Sequence, residues 1–205
     1  MYVTVILLIV FVACLAMTYT EGLWSNAIRL VNVVIAALLA TNFYEPLAGF
    51  LEGILPSLKY YWDFPAIWGL FALFVVVLET LAKQLSQVKV RFLQIGDQLG
   101  GLALSAVTGW VLVCFTLMTL HTAPLAKNFL FGSFQPRERM LFGIAPDRQW
   151  ISFARSMSLG PLARSASAEE QTSHANVFDA NRQFIYRYEQ RRTEVEKEKM
   201  ASVAN

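Results

Sequence analysis

Charge is scarce in this chain. Of its 205 residues only 16% are Asp, Glu, Lys or Arg, against 56% hydrophobic, a balance too apolar for an ordinary soluble domain and suited to a bilayer. The formal net charge of +2 is too small for a nucleic-acid surface, so no nucleic-acid partner is expected. Cysteine and histidine are nearly missing, with two of each. Cys14 and Cys114 each sit inside a long apolar run, where a thiol behaves as a small hydrophobe, so they imply neither a disulfide framework nor a metal site. His121 and His174 are separated by a span end and a polar linker and suggest no metal cluster. The sequence contains no H-E-x-x-H, no G-x-S-x-G and no Walker loop. Gly96-Asp97 resembles half of an intramembrane protease motif, but Gln94 stands where the other glycine belongs, and no second intramembrane aspartate shares a proton. The expectation is no cofactor and no enzymatic activity.

What the chain has instead is long apolar runs. Tyr2 to about Tyr19 carries no charge and is close to the minimum of roughly 18 residues that crosses a hydrocarbon core as a helix. It reads as a membrane helix and not as a signal peptide, since no Lys or Arg precedes it and no A-x-A site follows. After a turn at Glu21-Gly22, a second helix is expected from Ala27 to about Phe43, with Pro46 near its end. Leu47 to Leu55, broken by Gly49, Glu52 and Gly53, reads as interfacial or re-entrant. Pro56 to Pro65, with Tyr60, Tyr61 and Trp62, has the composition of a headgroup-level loop. Phe64 to Leu81 and Gln98 to about Leu120 complete four expected spans. An even count puts both termini on the same side of the membrane.

Between the last two spans, Leu85, Val88, Phe92 and Ile95 fall on one helical face and predict an amphipathic connector helix along the membrane surface. The fold class is therefore all-α, an integral membrane protein with about four transmembrane helices over residues 1–125. Residues 126–205 form a polar tail that holds 12 of the 17 bases and 9 of the 15 acids. Within it, an amphipathic surface-seeking helix over about 147–158 is marked by Trp150, Phe153 and Met157. A flexible linker over about 163–176 is rich in Ala, Ser and Glu, and a solvated, partly frayed charged helix spans about 181–200.

Few polar residues interrupt the apolar body. Glu79 is the one carboxylate well inside a span, expensive enough there to raise the idea of a cation or proton site. The plainer reading pairs it with Lys83 at i,i+4 near the interface. Arg29 either snorkels to the interface or pairs with a buried acid. On the last span Gly101, Ser105 and Gly109 form a small-xxx-small ladder that brings helix backbones together, within the protomer or between subunits of a homo-oligomer.

With four spans, Gly22 in the turn after the first, and Asp97-Gln98-Leu99-Gly100-Gly101 opening the last, the chain resembles the CvpA family, the colicin V production proteins of the bacterial inner membrane. Asp97, Gly101 and Gly109 match that family's positions at the last span, and Gly22 matches at the first turn. Gln98 and Thr108 stand where family arginines would be, and Ser105 replaces the middle glycine of the ladder. Around the first turn Glu21 and Ser25-Asn26 stand in place of an Arg and an Arg-Glu pair. The resemblance implies an inner-membrane protein linked to colicin V toxin production or export and to envelope homeostasis, with no established enzymatic activity. On that footing the expected role is a helical scaffold or accessory factor in contact with membrane lipid, whose tail recruits an envelope or export protein. The competing role is a small channel or transporter subunit in which Glu79, Asn32 and Asn42 line a polar path between protomers.

Overall fold

The computed structural model describes residues 2–55, 61–85, 94–124, 134–136, 138–141, 143–159 and 177–204. Among them, every regular element is an α-helix: α1 (Tyr2–Thr18), α2 (Leu23–Ile54), α3 (Asp63–Leu85), α4 (Gln94–Thr122), α5 (Pro146–Leu159) and α6 (Phe184–Ala204). Most of the expected connector and all of the expected linker at 163–176 lie outside the described residues.

By length and composition α2, α3 and the Ile95–Thr122 stretch of α4 are capable of crossing a membrane. The protein is thus an all-α membrane protein. The fourth expected span, α1, is apolar throughout but has 17 residues, about 25 Å at 1.5 Å per residue. It lies along α4, which in turn touches α2, while α3 packs on α2 and also meets α4 through Trp68 and Phe71. Large side chains such as Leu8, Ile9 and Met17 on α1, Leu73 and Val76 on α3, and Leu99 on α4 point outward. An aqueous protein would bury that many apolar groups; a lipid-facing surface has no reason to.

The second helix departs from expectation. It continues through Pro46 to Ile54, so Leu47 to Leu55 is neither re-entrant nor a separate interfacial segment. Proline removes one backbone hydrogen bond, but breaking the helix within an apolar slab would strand several polar groups at once. Side chains one turn before the proline bond back to the helix's own carbonyls, and the helix is packed on both sides of it. Thr41 Oγ1 donates to the Ala37 carbonyl at 2.7 Å and Asn42 Nδ2 to that of Leu38 at 2.9 Å, while Tyr44 and Ala48 are buried on either side. At the start of α3, Pro65 occupies the first turn, where its missing N–H would have had no helical partner.

The tail is not a free appendage. In α5, Trp150, Ile151, Ala154 and Ser158 are buried, Trp150 stacking edge-on against Phe115 at 5.7 Å and donating its indole N–H to Thr41 Oγ1 at 3.1 Å. The expected surface-seeking helix is therefore docked on α4 and α2. The reading of the last helix as solvated does not hold for its first two turns, where Phe184 and Tyr188 are buried in the same core. A second, smaller core joins Val3 and Leu7 of α1 to Val113 and Leu117 of α4, with Phe134 packed against them.

Candidate functional site

At one end of the bundle the α1–α2 turn meets the first turns of α4. The turn is tight, with Glu21 N–H donating to the Thr18 carbonyl at 3.0 Å. Gly22 has φ −66° and ψ 170°, a conformation open to any residue, so its backbone does not require glycine. Space does. A Cβ on Gly22 would fall 2.5 Å from Asp97 Oδ2. The carboxylate sits there because its other oxygen accepts the Leu23 backbone N–H at 2.8 Å. No side chain from the turn itself caps α2; Asp97, 74 positions further on, does so from α4, placing its negative charge at the helix N-terminus where the macrodipole favours it.

Asn26 is the hub beside this cap. It is 1% exposed, and its Nδ2 donates to the carbonyls of Thr18 at 3.1 Å and Glu21 at 2.8 Å. Its Oδ1 accepts from Ser105 Oγ at 3.2 Å. One amide therefore closes the turn and ties it to the ladder. The ladder residues lie against this region and against α1. A Cβ on Gly101 would meet the Glu21 carbonyl oxygen at 2.7 Å, and one on Gly109 the Phe11 ring at 2.9 Å. Ser105 is fully buried between them. Gly100, outside the ladder, is equally confined, by Leu23 at 2.6 Å.

The structure brings Gly22, Asp97, Gly101 and Ser105 into one polar cluster, with Gly109 two turns deeper along α4. Arg29 borders the cluster, paired with Glu21 at 2.7 Å with both side chains about a third exposed. Its partner is a partly exposed acid and not a buried one. Glu79 is elsewhere, on α3, 3.6 Å from Lys83 at i,i+4, with both side chains exposed. Asn32 and Asn42 are buried within α2.

The opposite end of the bundle holds polar contacts that sequence reading missed. His121 at the end of α4 and Asp147 at the start of α5 are both 0% exposed, with Nε2 and Oδ2 3.0 Å apart. The rings of Phe134 and Phe184 flank the imidazole. Near them, the Tyr44 and Tyr188 hydroxyls lie 3.0 Å apart, Arg187 pairs with Glu45 and Arg191 with Asp63. Burial pushes the Tyr188 phenol well above its ordinary range, and the charge of Asp63 adds to that, so it remains a neutral hydrogen-bonding group. Together these contacts fix α5 to α4, and α6 to α2 and α3. The signal that could have found them is the Phe184/Tyr188 i,i+4 pair, hidden among five arginines and lysines of the last helix. Among the described residues no three His, Cys, Asp or Glu side chains gather into a group that could hold a metal.

A family model described as colicin V production protein matches residues 3–139. The chain belongs to the colicin V production family. The match runs from α1 past the end of α4 and takes in the whole Gly22–Asp97 cluster, while α5 and α6 lie beyond it. The colicin V production family is not a known enzyme family. No match was found among curated proteins or among solved structures.

Proposed function

We propose that this member of the family is a multi-pass protein of the bacterial inner membrane that serves colicin V production or export, and envelope homeostasis, as a non-enzymatic helical scaffold. In this reading the apolar bundle is a rigid mount and the docked tail is the surface offered to an envelope or export protein. The observation that carries it is the fixing of both ends: Asp97 locks the α1–α2 turn to α4, and the Tyr44–Tyr188, Arg187–Glu45 and Arg191–Asp63 contacts hold α6 at the other end. A scaffold must hold its binding surface in one orientation, because a partner then meets it without an ordering cost. The channel alternative needs a polar stripe along whole spans. Glu79 instead pairs with Lys83 at the surface of α3, which favours the scaffold.

The test is complementation. A host without its own family member, producing colicin V, is supplied with the wild-type chain, with Arg191→Glu, which opposes Asp63 with a like charge, or with a chain ending before α6. Secretion is expected to return with the wild type and fail with both variants while their membrane levels hold. Wild-type secretion with either variant would refute a scaffolding tail. Separately, clear ion or solute flux through liposomes containing the purified protein would favour the channel.

A further inference from the structure

Beyond the docked face of α5, its outer face forms one wall of a groove whose other wall is the start of α6. The groove encloses about 750 Å³ and continues, through shared Arg148 and Ser152, into a second hollow of about 540 Å³ at the N-terminal side of α5. Arg148, Arg155 and Arg182 line the larger part and Arg139 the smaller. The acids at the groove are already engaged. Asp179 accepts the backbone N–H groups of Gln183 and Phe184, at 2.8 and 2.9 Å, and Glu189 supports the charge of Arg192. Arg155 donates to the Ala180 carbonyl at 3.2 Å through Nη2, yet its Nε is buried with no hydrogen-bond partner among the described residues. A buried guanidinium N–H without an acceptor is costly, and its geometry suits a phosphate.

The rim settles what kind of phosphate. Ile144, Phe153 and Tyr186, which line the two hollows beside the arginines, are large side chains exposed by 38 to 53%. α5, which carries Arg148, Phe153 and Arg155, is packed on α2 and α4, two helices with membrane-crossing length. A soluble anion has no use for an apolar rim. An acyl chain does, and a basic pocket between helices at the membrane edge matches the charge of an anionic headgroup.

We propose that the α5–α6 groove binds an anionic phospholipid, its headgroup phosphate held by Arg148, Arg155 and Arg182 and its acyl chains lying over Phe153 and Ile144. The full-length protein in neutral detergent is mixed with equal amounts of phosphatidylglycerol and phosphatidylcholine, and retained lipid is counted by native mass spectrometry. Wild type is expected to retain phosphatidylglycerol over phosphatidylcholine, and each of Arg148→Gln and Arg182→Gln to lower that retention about fivefold. Lys83→Gln, at the far end of α3, should leave it unchanged. Both arginines are exposed, so the single variants keep the fold, which an unaltered thermal transition in phosphatidylcholine verifies; the triple change with Arg155→Gln adds the largest loss if it folds. Equal retention of the two lipids by wild type, unchanged retention in both single variants, or loss of the bound lipid to millimolar inorganic phosphate would each overturn the proposal. The last of these would identify a free-anion site. None of these outcomes depends on colicin V secretion, so the scaffold reading stands or falls separately.

Discussion

Asp97→Ala should destabilise the protein through a helix it does not belong to. The change removes the acceptor of the Leu23 N–H, 2.8 Å away and partly buried, and the negative charge at the N-terminus of α2. Loss of an N-cap costs about 1 kcal/mol, up to 2; loss of the charge near the dipole adds about 0.3–1 kcal/mol. About 2 kcal/mol in total corresponds, for a chain of this size, to a fall of roughly 4–8 °C in Tm. Asp97→Asn keeps an acceptor and loses only the charge, so it should fall by less than half as much. Gly22 supplies the sharper test. Gly22→Ala in the wild type sets a methyl 2.5 Å from Asp97 Oδ2 and must push the carboxylate off the Leu23 N–H, so it should cost nearly as much as Asp97→Ala. In the Asp97→Ala background the same methyl no longer meets the carboxylate, and Gly22→Ala should cost much less than it does in the wild type. The assay is thermal unfolding of the four proteins in one detergent, read as a double-mutant cycle. Simple additivity would refute the mechanism, because it would mean the glycine serves the backbone and not the carboxylate.

Ser105→Leu, by driving a branched side chain between α4 and the α1–α2 turn and removing the bond to Asn26, should cost about 1–3 kcal/mol; Leu112→Ile, at a half-buried position, should be nearly silent in the same melt. Removing either half of the buried His121–Asp147 pair should cost about 3–5 kcal/mol, whereas His121→Leu with Asp147→Leu together should cost less than either single change; a double variant worse than both would refute this. Reporter fusions at Gln94 and Asn205 are expected on opposite sides of the membrane, and the same side would mean the spans are miscounted. Burial raises the Asp179 carboxyl above its ordinary value despite the two backbone N–H groups it accepts. Its favourable contribution is therefore fullest below the ordinary carboxylate pKa and fades as pH rises through the folded one, so wild type should gain stability relative to Asp179→Asn as pH falls from 7 towards 4. A gap that is flat with pH would count against that sign.

The apolar body was legible because lipid imposes a one-dimensional rule: uncharged runs of sufficient length become helices, whatever they touch. The same rule misled at Pro46, where a soluble-protein stop signal was weighed without the cost of ending a helix in hydrocarbon. The Gly101, Ser105, Gly109 spacing was visible as a face, but its neighbours were not, since nothing in periodicity links position 97 to 23 or 105 to 26. The tail was misjudged for a different reason. Composition averages over a helix, and the two rings of Phe184 and Tyr188 that anchor α6 were outvoted by surrounding charges that stay at the surface. His121 shows no metal-ligand spacing in the sequence; its partner is a carboxylate 26 positions away, and burial, the property that makes the pair matter, has no signature in a single sequence.

The unequal lengths of the first two helices have a consequence for the surrounding lipid. α1 gives its face of the bundle about 25 Å of apolar height, while α2, with 32 residues, reaches about 48 Å, against a hydrocarbon thickness of about 30 Å. In a bilayer an apolar helix as short as α1 favours local thinning beside it, whereas α2, which carries Arg29, Glu45 and Glu52, can run past the hydrocarbon at its polar ends. The strip of thinned membrane at α1 carries an elastic cost that falls if a second short helix lies next to it. A second membrane helix of similar length would thus be favoured at that flank by the membrane's own stiffness before any side chain made contact.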